Sequence, residues 1–445
     1  MVLLVVLLFG SVTLWAVLAR QRQKEPATPG PMLEQGYLDL DTPAFSLRLV
    51  RSSQTVAALK PKGAGDFDFT PGDLLVERSR DGYYHLGDVD LRLRSATSGA
   101  WKSYSTALAR KPVAALPSMS PTLAAADLAP TLPSDIPLQI TRTWTLEDGK
   151  LTLRFILKNK TAESVQIGAL GIPMIFNNVL NDRSLDQAHA ICSFYDPYIG
   201  EDAGYLQVTR LSGQGPALLV LPEGKTPFEA YNPILGARRS TGASIFGDLT
   251  PRGITFEGFY DWMVHSVAYA ENEWKQAKPW NPPTQGTLAP GESKTYGVTF
   301  ALADSIRHIE KTLHENHRPV AVGIPGYVLP MDTEGELFLN YPEPVRFTIV
   351  EPAGTMTIKE ETGAALGWKK YSLQGKAWGR ARLTVTYKDG LVQTIHYFVS
   401  KPEGRAMADL GHFLATKQWF VDPQDPFHRS PSFMTYDREE NKIVM

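Results

Sequence analysis

One cysteine, Cys192, is all the chain has in 445 residues. That excludes an intrachain disulfide framework and any cysteine-based zinc site, and leaves Cys192 as a small buried apolar residue. Charge of one sign is missing as well. Lysine and arginine number 45 against 47 acids, a net charge of −2. Such balance leaves no electrostatic footprint for nucleic acid or an anionic membrane surface. The nine histidines form no HExxH pair,. No G-x-S-x-G elbow occurs, and Gly213-Gln214-Gly215 lacks the Gly-Lys-Ser/Thr of a phosphate loop,. Asp66, Asp68 and Asp73 lie around FDFTPGD without the spacing of a calcium loop,. No metal and no cofactor are expected.

What the chain does have is a globular composition, 43% apolar and 21% charged,. Glycine (36), proline (33) and 10% aromatics favour turn-rich β structure over a helical bundle,. The length allows about three domains.

Val2 to Ala19 carries no charge, and Arg20-Gln-Arg-Gln-Lys24 follows. Residues 1–19 fit a secretory signal peptide ending on Val17-Leu18-Ala19. A single-pass anchor is the alternative, since eighteen helical residues span about 27 Å against a hydrocarbon core of about 30 Å. A misplaced start is a third reading. The expected location is therefore secreted or extracellular, with a membrane partner only if residues 1–19 remain as an anchor. Residues 20–36 form a linker, rich in proline and glycine from Glu25 onward.

Period-two runs dominate the rest. Ile140, Arg142, Trp144 and Leu146 fall on one strand face. Leu151, Leu153, Phe155 and Leu157 fall on one face of the next, across Asp148-Gly149, a strong hairpin signal,. Asn159–Ser164 is expected as a further hairpin turn, leading into VQIGALGIPM. More strands are expected at 45–59, 83–94, 205–211, 216–221 and 295–302. Lys111 to Pro133, rich in Ala, Pro and Ser, suggests a long surface loop.

Near Asp304 the period changes. Ile306, Ile309 and Leu313 recur at helical spacing, with Asp304 where an N-cap belongs and Pro319 at the end,. His308, His314 and His317 lie on or beside this helix as a solvated face. Short strands then run from Val320 to Pro402, clearest at Arg380–Tyr387, and fit a small immunoglobulin-like sandwich. Residues 404–420 are expected to be helical, with Met407, Leu410, Phe413 and Leu414 on one stripe. A rigid polar loop follows.

The densest functional-looking segment is Phe256–Thr284. It holds Tyr260, Trp262, Tyr269, Trp274 and Trp280 among the acids Glu257, Asp261, Glu271 and Glu273. Sugars present apolar C–H faces and hydroxyl rims, so their sites pair flat aromatics with carboxylates. Two carboxylates across a scissile bond also perform glycoside hydrolysis. The plainer alternative has the tryptophans filling space between sheets and the acids on rims. Tyr195 and Tyr198, in the loop Ser193–Asp202, are candidates for stacking on a sugar or for loop packing. Asn159-Lys160-Thr161 is a glycosylation sequon.

The strings SSQTVAALKPKG, FDFTPGD, LGIPMIFNN, FEGFYDWMVHSVAYAENEW and PVAVGIPGYVLPMD, with CSFYDPYIGEDAGYLQVTRLSGQGPALLVLPEGKTPFEAYNP, resemble a family of exported microbial proteins. It is catalogued as domain of unknown function 5695, and its members look like six-hairpin glycosidases. The resemblance runs from about Tyr37 to Val444. It implies a mainly β fold: a large β-supersandwich over 37–302, a connecting helix over 303–319 and a small immunoglobulin-like β-sandwich over 320–402. It also implies that 403–445, ending in FHRSPSFMTYDREENKIV, is the truncated start of an α-helical (α/α)6 domain. In six-hairpin glycosidases that toroid supplies the acid and base, so no catalytic residue is carried over.

The function implied is the noncatalytic β portion of a secreted glycoside-hydrolase-like protein that binds polysaccharide or glycan. One alternative is an autonomous glycosidase with its site near Phe256–Trp280. The other is an interaction module exposing an apolar patch around Phe413, Trp419 and Phe420.

Overall fold

A computed structural model describes residues 32–95, 99–180, 183–234, 259–437 and 442–444. The leader or anchor expected over 1–19, and the linker as far as residue 31, lie outside these. Among the described residues, no helix is long and apolar enough to cross a membrane.

The protein is mainly β, as composition and periodicity imply. Two sheets face each other across its largest core. The longer has eight strands, in the order Ser193–Tyr198, Tyr205–Arg210, Ala217–Glu223, Ser293–Ala303, Lys150–Asn159, Leu138–Glu147, Thr122–Asp127 and Ala114–Leu116. The shorter runs Ala230–Pro233, Tyr260–His265, Val165–Met174, Asp90–Ser95 and Lys102–Ser105, with Gly286–Leu288 also paired to Val165–Met174. The pleat alternates, and the inward positions are apolar with Arg142 as an exception,. Leu91, Leu93, Leu170, Ile172, Trp262 and Val264 from the shorter sheet meet Trp144, Leu153, Phe155, Val298 and Phe300 from the longer.

The Asp148-Gly149 turn has positive φ at both residues, 50° and 75°, and joins strands in register from Glu147–Lys150 out to Leu138–Asn159,. Two expectations need correction. Lys111 to Pro133 is no free loop, since Ala114–Leu116 and Thr122–Asp127 complete the long sheet. Its inward residues are Ala124 and Ala126, too small to stand out as an alternating pattern. Asn159–Ser164 is a corner rather than a hairpin, carrying the chain from the long sheet to the short one.

A three-stranded ribbon, Tyr37–Asp41, Phe45–Val50 and Val56–Pro61, adds Phe45, Leu47, Leu49 and Leu59 to the same core. Arg142 points inward and is 1% exposed. Its guanidinium donates to the carbonyls of Gly87 and Ser53, while Trp144 Nε1 donates to Gln54 O at 3.1 Å. These bonds tie the ribbon to the sandwich. Beside them Arg110 and Asp88 form an ion pair with side chains 6% and 1% exposed. Asp88 also accepts from His85 N and the Thr106 hydroxyl, each at 2.8 Å.

The connecting segment is a 3-10 turn, Ile306–His308, followed by the helix Ile309–Glu315. Ser305, not Asp304, precedes its first turn, and Ile309 and Leu313 pack on Ala217, Leu219 and Ala301. Beyond it, two four-stranded sheets form a smaller sandwich around Leu337, Leu373, Leu383, Val385 and Ile395. The two units meet along the loop Tyr198–Asp202. Tyr198 donates to Thr394 O at 2.9 Å, Val392 N donates to Asp202 Oδ2 at 3.1 Å, and Glu201 bridges to both Phe228 and Gln393. The last helix, Glu403–Phe413, buries none of its residues; Met407 and Leu410 are 63% and 50% exposed.

Removing one partner of a buried pair strands the other charge, at a cost of about 3–5 kcal/mol. Asp88→Asn is expected to lower unfolding stability by that order in urea titration. A wild-type midpoint and slope in this variant would show that the pair is dispensable.

Candidate functional site

The outer face of the shorter sheet is where polar and aromatic chemistry collects. In its centre Gly171 lies opposite Asp90 on one side and Met263 on the other. Ala169 lies opposite Arg92, and Gln166 opposite Arg94. The alternation that sends Leu91, Leu93, Leu170 and Trp262 inward therefore sends Asp90, Arg92, Arg94, Gly171, Asp261 and Met263 outward. Gly171 has to be glycine. A Cβ there would stand 2.9 Å from both Cβ and Cγ of Asp261, so the Asp261 carboxyl lies across bare backbone.

Asp90 and Asp261 thus approach each other from the two strands flanking Gly171. Each keeps one oxygen, Oδ1, shut from solvent and without a hydrogen bond. Burial pushes Asp90 up to about 7, with a further push from Asp88, against hydrogen bonds from Ser105 and Tyr84. Asp261 is 1% exposed, and burial followed by the neighbouring Asp90 charge holds its proton far above the usual carboxylate range. Like charges this close do not both ionise. Asp88 goes the other way. Burial alone would raise it, but the Arg110 charge and hydrogen bonds, with His85, hold it below the usual range.

Next to the acids stands an aromatic platform. The short helix Val267–Ala270 sits on Val165–Met174 through Ala268, packed with Ala169 and Met263. It presents Tyr269, whose ring stacks on Trp274 at 4.8 Å and 25°. The Arg92 guanidinium lies 3.9 Å above the Tyr269 ring and grips Glu273 with two bonds of 2.7 and 2.6 Å. A second set repeats the pattern. Arg94 lies 3.9 Å over Trp101, whose Nε1 donates to Glu271 at 2.6 Å. Trp101 rests on Gly168, where a Cβ would come within 2.3 Å of the ring. A cleft of about 160 Å³ opens among Tyr84, Asp90, Arg92, Ser103 and Tyr269. Among the described residues, no group of three potential ligands could hold a metal ion.

Of the residues singled out from sequence, Asp261, Glu271, Glu273 and Trp274 come together here. Glu257 lies outside the described residues. Tyr260 and Trp262 alternate with Asp261 and face the other way. Trp262 is sealed in the core, stacked on Phe228 at 4.0 Å, and Tyr260 stacks on Tyr231 at 4.3 Å. Trp280 packs against the smaller sandwich, with Arg380 4.7 Å above its ring and His396 at its edge. Tyr195 is buried edge-on to Phe176, and Tyr198 belongs to the seam between units.

Asn159 is 1% exposed. Its Nδ2 donates to the carbonyls of Glu163 and Leu288, at 2.7 and 3.0 Å. Both amide hydrogens are engaged, so the folded corner has no place for a glycan. Sequence reasoning passed over Tyr84, Asp90, Arg92 and Trp101. Their signal was Asp90-Leu-Arg-Leu-Arg94, a charge at every outward position of one strand.

The sequence profile of the family of unknown function DUF5695 matches residues 48–445. The chain belongs to that family. No curated protein matches it. Among solved structures, a polysaccharide lyase gives a TM-score of 0.63 at 14% identity, covering 92% of this chain and 53% of its own. The chain spans about half that lyase's length, and the likeness is one of fold. A galactose mutarotase related enzyme from Lactobacillus acidophilus gives 0.32 at 10% identity, covering 60% of this chain and 98% of its own. A galactose mutarotase-like protein from Clostridium acetobutylicum gives 0.35 at 9%, covering 60% and 95%. Those two overlaps are too loose to carry an argument.

The carboxyl pair has a stability signature. Above the ordinary carboxylate value of 3.8, the fold holds protons at Asp90 and Asp261 that the unfolded chain has released. The contribution of this pair to stability therefore falls as pH rises towards and through about 7 at Asp90,. Glu201, raised to about 8 by burial and by Glu229, adds to the same slope. Asp90→Asn is expected to flatten the fall of Tm between pH 5 and 8, and to gain on the order of 1–2 kcal/mol at the alkaline end. Parallel slopes for variant and wild type would mean that Asp90 titrates normally.

Proposed function

Starting from that family membership, we propose that the chain is the β portion of a secreted, carbohydrate-active protein. The outer face of its shorter sheet is the surface that contacts glycan. The observation that carries this is a cleft lined by Tyr269, Arg92 and Asp90, with Trp274 stacked on Tyr269 and Glu273 bonded to Arg92. Flat rings take the apolar face of a sugar, and the charged groups around them take its hydroxyls. The fold shared with a protein named as a polysaccharide lyase supports the same direction.

Binding without turnover is the better-supported form of this reading. A hydrolytic pair flanks its scissile bond, with carboxyls about 5–9.5 Å apart. Here both acids converge on one glycine, and Asp261 lies under the surface. In the six-hairpin glycosidase reading, the acid and base belong to an (α/α)6 toroid, and this chain supplies a wall of the substrate groove. One observation favours an autonomous enzyme instead. Asp90, held near about 7 in a cleft, is poised as a general acid or base,.

Affinity electrophoresis against a panel of soluble polysaccharides tests the proposal. At least one is expected to retard the protein, and Trp274→Ala or Arg92→Ala to weaken that retardation about tenfold, or about 1.4 kcal/mol. Circular dichroism checks that the variants stay folded. Migration unchanged by every polysaccharide would remove the glycan reading. Release of sugar fragments by the wild type, abolished in Asp90→Asn, would move the enzyme reading ahead.

A further inference from the structure

The charges on this face are arranged in a way that says which sugars it accepts. Arg92 is held by both oxygens of Glu273. Arg94 is held by Glu271 at 3.2 Å and by Gln166 at 2.6 Å. Lys102, on the neighbouring strand, pairs with Asp135 at 3.2 Å, and Arg110 pairs with Asp88. Each of these four cations is therefore matched by a carboxylate. The two acids in its centre have no such match: Asp90 lines the cleft and Asp261 lies beneath it.

We infer that the cleft selects neutral, hydroxyl-rich sugars over uronates, and that Glu273 sets this preference by neutralising Arg92. The inference rests on the glycan reading above and adds the class of sugar to it. A neutral sugar needs no counter-charge, so it suits a face whose cations already have their carboxylates. A uronate brings a carboxylate that donates nothing and needs an unmatched cation. In this cleft it meets Asp90 on one wall, and on the other Arg92, whose charge Glu273 already holds. Discrimination of this kind comes from a repulsive element as much as from an attractive one.

Glu273 makes the inference testable, because it is exposed and its two bonds hold Arg92. Glu273→Gln keeps the shape of the side chain and leaves the Arg92 charge uncompensated. The probes are galacturonan oligosaccharides and the same oligosaccharides with their carboxyls reduced to alcohols, titrated calorimetrically at low ionic strength, where exposed charges are least screened. The wild type is expected to bind the reduced form at least tenfold more tightly. Glu273→Gln is expected to shrink that ratio severalfold by tightening galacturonan. Titrated at pH 8, above the value of about 7 to which Asp90 is raised, Asp90→Asn removes the central negative charge, should shift the ratio in the same direction, and covers the case of a Glu273→Gln protein that melts early.

Wild-type preference for galacturonan would overturn the inference. So would a ratio that neither variant moves. If neither oligosaccharide binds while a panel polysaccharide does, the preference as stated fails and the glycan surface stands. If nothing in the panel binds, the glycan reading falls and takes this inference with it.

Discussion

Asp261 lays its carboxyl across the backbone of Gly171, and the outer face of the shorter sheet is organised around that contact. Val165–Met174 has strands along both edges, and nine of its ten residues are buried. Side chains at 168 and 171 would leave no room for Trp101 or Asp261. With those two positions bare, an indole and a carboxyl come down to the level of the sheet. The short helix carrying Tyr269 then closes over the remaining small residues, Ala169 and Met263. Packing between small side chains thus decides where the charged ones stand.

Two aspartates two residues apart show how environment, not residue type, sets the chemistry. Asp88 turns into the protein and finds a guanidinium, a hydroxyl and a backbone amide. Asp90 turns out along the strand and finds another carboxyl. One is held ionised, and the other keeps its proton up to about 7,. Asp88 helps twice, since it fixes the loop that leads into the strand and its own charge opposes ionisation of Asp90. A structural ion pair and a carboxyl that keeps its proton therefore stand within three residues of each other.

Much of the fold was legible because strand alternation is a local property. The Asp148-Gly149 hairpin needed only its own stretch, Leu138 to Asn159. The edge of the long sheet escaped notice because its buried positions are alanines, which carry little hydrophobic contrast. The site was legible only in part, for a physical reason. Adjacent residues in a strand point to opposite faces, so the cluster in Phe256–Thr284 splits. Asp261 goes to the outer face and Trp262 to the core. The partner of Glu273 lies 181 residues earlier in the chain, at Arg92. Pairing of that range is fixed by sheet register, and one sequence without its register does not reveal it. Tyr195 and Tyr198, expected in a loop, lie on the edge strand Ser193–Tyr198, with Tyr195 in the core and Tyr198 against the smaller sandwich.

The corner at Asn159 carries a consequence for how the chain must mature. Its side-chain amide is the bolt of the crossover between sheets, holding Glu163 on one side and Leu288 on the other, while its carbonyl accepts from Thr161. A glycosyltransferase can reach that nitrogen only on a chain whose crossover is still open. Leu288 lies 129 residues away and joins late in synthesis. In any compartment that glycosylates sequons, the reaction and the closing of this corner are competitors. Sugar at Asn159 would then be a timestamp on molecules that folded too slowly, rather than a decoration of the finished protein.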